Sequence, residues 1–284
     1  MAYLCSKQKL LTYQDSLYAG FRRAAELRAK AGETNRLEMI TARSQSLEVK
    51  NQLQQVTADI GIYNRKLQTL LNVGAPLYPA DTMLRRIDFV PISDSSALKA
   101  NPSLGYIKQQ VAVSQLEKKL EQSRALPDFT VGYFSQTMQG TQDVSGVPRT
   151  FGSGDRFNGI QAGIAIPLWF SPYTSKAKAA KLKEQVANAN AGYYSKTLSG
   201  NYESLLDEYS KYRSSVDYYE TQAVPEASLI IEQSTRSYKA GALDYLDYVL
   251  SLSRALSIRQ NYLDAINSYN QTIINLEYIM GKTF

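Results

Sequence analysis

The sequence predicts a mainly α-helical chain, a long antiparallel coiled-coil bundle carrying one β-hairpin whose two strands have the length and alternation of barrel strands. Three observations predict it. Apolar residues recur at steps of three and four over most of the length. The period changes to two between Phe129 and Leu168. From Pro172 to Lys239 a helical pattern runs for a length on the order of 100 Å, more than a globular core needs.

From Lys7 to Leu71 the pattern is helical except at Ala31-Gly32-Glu33, where the chain turns back. The second arm repeats Leu53, Val56, Ile60, Tyr63, Leu67 and Leu70 in alternate steps of three and four, a coiled-coil seam. Asn72-Val73-Gly74-Ala75-Pro76 ends that helix, so 1–74 form a helical hairpin. Pro76, Pro79 and Pro91 then hold an irregular linker over 75–100. The second unit, 101–284, opens with a helix over 103–124 that stops before Pro127. Phe129 to Met138 is aromatic and β-branched, which predicts a strand over 129–138. Gln139 to Asp155, rich in Gly, Thr, Ser and Asp, reads as a long polar loop. A second strand over 156–168 puts Ile160, Ala162, Ile164, Ile166 and Leu168 on one face.

Each strand is near the ~9–11 residues that a tilted strand needs to cross a bilayer. Two strands alone cannot span lipid, because their edges would leave N–H and C=O groups unpaired in hydrocarbon. Helices over 173–239, kinked at Pro225, and over 243–281 complete the chain, with the reversal at Ala240-Gly241-Ala242. The last helix carries Leu252, Ala255, Tyr262, Ile266, Tyr269, Ile273, Leu276 and Met280 on one seam, broken only at Arg259. Leu256 and Leu263 fall beside that seam, so this helix should touch neighbours on two sides.

Composition narrows the function. The 284 residues include no histidine and a single cysteine, Cys5, which excludes a His triad, a His/Cys zinc cluster and an internal disulfide. No Gly-rich or nucleophile motif appears, so neither an enzyme nor a bound cofactor is expected. The net charge of +6 is spread among acidic residues rather than gathered into a basic footprint, which argues against nucleic acid. The longest apolar stretch, Ile160 to Phe170, is too short for a helical span. The opening Met-Ala-Tyr-Leu-Cys-Ser-Lys-Gln has neither the basic nor the apolar region of an export signal, and Cys5 reads as an ordinary residue at a helix start.

Sliding the sequence by 209 positions lays Ala31-Gly32 on Ala240-Gly241, Leu37 on Leu246, Glu38 on Asp247, Leu47 on Leu256, Ile60 on Tyr269 and Leu67 on Leu276. The helical hairpin is duplicated, as in architectures where no single repeat buries its apolar face alone.

Asn101-Pro102-Ser103-Leu104 opening a helix, Arg124-Ala125-Leu126-Pro127-Asp128 leading into a strand and Gly163-Ile164-Ala165-Ile166-Pro167-Leu168 leading into a lysine- and alanine-rich helix resemble, in this order, the TolC-like outer-membrane efflux proteins. Tyr238-Lys239-Ala240-Gly241 with Tyr245-Leu246-Asp247 extends the likeness, which covers nearly the whole chain and is nearest to members serving heavy-metal efflux. The resemblance implies a homotrimer in outer-membrane lipid, with a barrel continued by a periplasmic helical cylinder. That passive export duct would serve a periplasmic adaptor and an inner-membrane pump of the resistance-nodulation-division type. Against the family's two repeats, a signal, the first helices and two of four strands are expected to precede Met1, and conduction is expected to need them. The rival reading is a coiled-coil periplasmic adaptor or structural interaction protein, which would lack the strand pair.

The resemblance assigns adaptor docking to the tips Ala31, Gly32, Leu37, Ala240, Gly241 and Leu246, although glycine is needed at such helix ends in any case. It assigns Glu38 and Asp247 to a ring of acids at the periplasmic mouth; the competing role is to complement the positive end of a helix. Trp169, directly after the second strand, reads as a membrane-interface anchor or as packing on the following helix. Lys176, Lys178, Lys181 and Lys183 read as a solvated helix face or as contacts to anionic head groups.

Overall fold

The computed structural model describes residues 1–32, 36–79, 82–90 and 95–282, and the side chains of these except 95–97. Glu33 of the first reversal and Pro91 of the linker lie outside the described residues. The elements run α1 (Ala2–Lys30), α2 (Arg36–Leu71), a 3-10 turn (Ser95–Ala100), α3 (Pro102–Ser123), β1 (Asp128–Thr137), β2 (Gly140–Val144), β3 (Val147–Phe151), β4 (Arg156–Ala165), α4 (Ser171–Tyr218), a π-helical turn (Tyr219–Ala223), α5 (Val224–Lys239) and α6 (Tyr245–Ile279).

The chain gathers into two compact units. One holds Met1–Leu98 and Ser199–Phe284, the other Lys99–Leu198. In the first unit α1 lies against α2, α5 against α6, and α1 also touches α6. Two apolar clusters hold these helices: Tyr18, Ala25, Ala42, Val49, Tyr245, Val249 and Leu256 near the reversals, and Leu4, Leu11 and Val56 further along. The expected seam of α6 is buried at Leu252, Ala255, Ile266, Tyr269, Ile273, Leu276 and Met280, and Leu256 beside it is buried as well. The two-sided helix that the sequence predicts is therefore present.

The seam of α2 is shorter than its periodicity. Val56 is buried and Leu53 and Ile60 pack on the second cluster, but Tyr63 and Leu70 are exposed. Gln8 of α1 donates to Thr57 of α2 at 3.1 Å, so Ala2 of α1 comes level with about Tyr63.

The linker is tied down by side chains. Buried Asn270 accepts from the Ile87 N–H at 3.0 Å and donates to the Arg85 carbonyl at 2.7 Å, pairing with the linker backbone as a neighbouring strand would. Arg86 donates to Asp217 at 2.6 Å, and Tyr209 donates to the Phe89 carbonyl at 3.2 Å. Asn270→Leu would remove both hydrogen bonds, each worth a net ~0.5–1.5 kcal/mol. The expected result is a urea midpoint lowered by a loss of about 2 kcal/mol, with Asn270→Gln less damaging.

Three expected elements change form. The helix over 173–239 is two helices joined by the π-helical turn, in which the Val224 N–H reaches back to the Tyr219 carbonyl. Pro225 has no N–H to continue the ladder, and the turn absorbs that defect. The polar loop over 139–155 is itself a hairpin, so the described residues hold two two-stranded antiparallel sheets where one hairpin was expected. Ser145 and Gly146 both take positive φ, the two-residue reversal that matches strand twist, and Asp143 accepts from the Gly146 N–H at 2.7 Å. The second strand ends at Ala165 rather than Leu168, because Pro167 lacks a ladder donor and restricts Ile166.

Candidate functional site

The two reversals are built alike. Gly32 and Gly241 take φ of +75° and +72°, a left-handed conformation in which other residues are strained. At the second, the Gly241 N–H reaches the Tyr238 carbonyl at 3.1 Å and the Ala242 N–H the Ser237 carbonyl at 2.9 Å, satisfying the last helical acceptors. At the first, the Gly32 N–H reaches the Ala29 carbonyl at 3.2 Å. Ala31 and Ala240, one residue earlier, are right-handed and exposed.

The reversals lie together. Arg28, Leu37 and Glu38 of the first line one cavity of about 260 Å³ with Asp244, Tyr245 and Leu246 of the second. Leu37 and Leu246 are both exposed at its margin. The duplicated acids, however, stand in different surroundings. Glu38 is mostly covered and accepts from Arg28 at 3.1 Å, across the reversal. Asp247 is exposed in the first turn of α6, where Asp244 caps the helix by accepting from the Asp247 N–H at 2.8 Å.

Tyr245 of the cavity wall belongs to an aromatic cluster that the sequence did not single out. Tyr238 stacks on Tyr248 at 4.5 Å, and Phe21 meets Tyr248 and Tyr245 edge-on at 5.3 and 6.1 Å. The three tyrosines within eleven positions around the Gly241 reversal were the available signal. Burial pushes the Tyr245 hydroxyl up to about 12, and the Glu38 charge adds to the effect. That hydroxyl is buried without a hydrogen-bond partner.

Tyr245 thus holds its proton more tightly in the folded chain than at the ordinary value of 10.0, so its ionisation takes nothing from stability below about pH 10 and lowers stability progressively from there to about pH 12. Tyr245→Phe should remove that part of the alkaline loss in urea unfolding. It should also raise stability near neutral pH by on the order of 1 kcal/mol, because the orphan hydroxyl is gone.

The second unit carries the sheet. In the β1–β4 register Phe129 faces Ile164, Val131 faces Ala162 and Tyr133 faces Ile160, which puts all six on one face. Val131 is 81% exposed and Ile160 79%, so this apolar face is uncovered in the chain. The other face carries Thr130 opposite Gly163, Gly132 opposite Gln161 and Phe134 opposite Gly159. A Cβ on Gly159 would come within 2.5 Å of the Phe134 ring, so the ring needs the glycine beneath it. Trp169, between β4 and α4, is 81% exposed.

Among the described residues no group of His, Cys, Asp and Glu could hold a metal ion, and no helix is long and apolar enough to cross a membrane.

No family model matches the sequence, and no curated protein is detectably similar to it. Solved structures are similar in fold. The outer membrane protein VceC of Vibrio cholerae superposes with a TM-score of 0.81 at 16% identity, over 99% of this chain and 66% of VceC. The Campylobacter jejuni CmeC outer membrane channel gives 0.82 at 16% identity, over 99% of this chain and 60% of that one. The open state of the Neisseria gonorrhoeae MtrE outer membrane channel gives 0.70 at 16% identity, over 99% and 64%. The chain therefore has the fold of TolC-like outer-membrane channels and spans less than two thirds of the length of these channels.

Proposed function

We propose that the protein is a component of an outer-membrane channel in a tripartite efflux system, a passive duct rather than a catalyst. The observation that carries this reading is the uncovered apolar face of the β1–β4 sheet, set within a fold shared with outer-membrane channels over 99% of the chain. A strand pair that is apolar on one face and small or polar on the other suits a barrel wall between lipid and lumen. Each strand pairs on one side only among the described residues, so closure needs further strands, and a homotrimer is the proposed source of symmetry. The adaptor reading is less well supported, since such a protein has no use for this sheet.

The Gly32 and Gly241 reversals, with Leu37 and Leu246 exposed beside one cavity, are the proposed docking end for a periplasmic adaptor, which would couple the duct to an inner-membrane pump. The sequence resemblance alone suggests heavy-metal ions as cargo. Loss of the gene should raise the cell's content of the exported ion or dye, with the protein found in outer-membrane fractions; unchanged content would contradict the reading.

The acids at the proposed mouth should not act equally. Glu38 is held by Arg28, whereas Asp247 is exposed, so Asp247 dominates the field that draws cations. In assembled channels under a salt gradient, Asp247→Ala should move the reversal potential toward zero and Glu38→Ala should move it less.

A further inference from the structure

The first part of α4 has a one-signed charge. From Ser171 onward it carries Lys176, Lys178, Lys181 and Lys183, all exposed, and its first carboxylate is Glu184, which Lys118 of α3 holds at 2.6 Å. None of the four makes an ion pair among the described residues. The helix itself gains nothing from this arrangement, because its N-terminal end favours acids and like charges at neighbouring positions repel.

The lysines do not all face the same surroundings. Lys176 and Lys183, two turns apart, border a cleft of about 440 Å³ that also contains Glu117 and Glu121 of α3. Lys178 and Lys181 project from the opposite side of α4, away from that cleft. Immediately before the helix, Ile166, Leu168, Trp169 and Phe170 are all exposed. An apolar, aromatic segment followed by unpaired lysines is the layout of a chain that meets a bilayer surface: the ring sits at head-group level and the ammonium groups meet lipid phosphates. From Ser171 to Lys181 the helix rises ~15 Å, comparable with the head-group layer plus one Debye length.

We propose that Lys178 and Lys181, flanked by Lys176 and Lys183, bind the anionic phospholipid surface that the Leu168–Phe170 segment enters. The inference rests on the membrane reading of the sheet, and its test separates the two. The full chain is floated with vesicles of phosphatidylcholine alone, or with roughly a quarter phosphatidylglycerol. The parent should partition more strongly onto the anionic vesicles. K178Q/K181Q should lose about 30-fold of that partition, from roughly 5-fold per lysine beside such a surface. K176Q/K183Q should lose less, and K178R/K181R should retain it. Trp169→Ala should weaken binding to both vesicles.

Equal binding of the parent to neutral and anionic vesicles, or an unaltered K178Q/K181Q variant, overturns the lysine surface while leaving the membrane reading standing. Binding to neither overturns both. Stripping by inorganic phosphate beyond chloride of equal ionic strength would indicate a discrete phosphate site and would also overturn the proposal.

Discussion

Leu256→Ala should cost the folded chain about 2–5 kcal/mol, while Leu47→Ala, its duplicate 209 positions earlier, should stay within about 0.5 kcal/mol. The contrast follows from burial. Leu256 is 2% exposed inside the cluster formed by α1, α2 and α6, and Leu47 is 51% exposed. Truncating the first leaves a cavity among Tyr18, Val49 and Val249; truncating the second removes atoms already in water. Urea unfolding of the two variants, followed by helical circular dichroism, gives both numbers from the same transition. Equal losses would mean that the repeats are packed equivalently and that Leu47 has a partner in the assembled protein.

The second large effect concerns the sheet. Val131→Lys or Ile160→Arg places a charge on the uncovered apolar face, and in a barrel wall such a charge costs about 2–4 kcal/mol near the bilayer midplane. Thr130→Lys and Gln161→Arg, one position away, put the same charge on the opposite face and should be tolerated. The readout is the amount of folded protein recovered in outer-membrane fractions. If all four variants are recovered alike, the apolar face does not meet lipid.

The helices and both reversals were legible because each depends on local chemistry. Apolar spacing marks α6, and Gly32 and Gly241 mark the points where the chain must take positive φ. The β2–β3 hairpin was missed, although Ser145-Gly146 is a turn signal, because its flanking strands are short and carry little apolar alternation. What the sequence hid was long-range. Tyr63 and Leu70 keep a coiled-coil period yet are exposed, since burial depends on what lies opposite. The Asn270 clamp on the linker joins positions far apart in the chain, and nothing local marks it.

The candidate site divides in the same way. The tip glycines and the acids Glu38 and Asp247 could be named from the repeat, but their inequivalence could not. It arises because Arg28 reaches Glu38 across the first reversal, whereas Asp247 makes no ion pair among the described residues at the second.

If the channel reading holds, the Phe129–Val131–Tyr133 face of β1 lies in hydrocarbon, and single-site labelling separates that face from its opposite. With Cys5 replaced by serine, an environment-sensitive fluorophore is placed on cysteine at position 131 or 130 of the protein in outer membranes. The label at 131 should be quenched by a bilayer-soluble agent and shielded from an aqueous one, with the reverse at 130. Equal access of the aqueous quencher to both positions would contradict it.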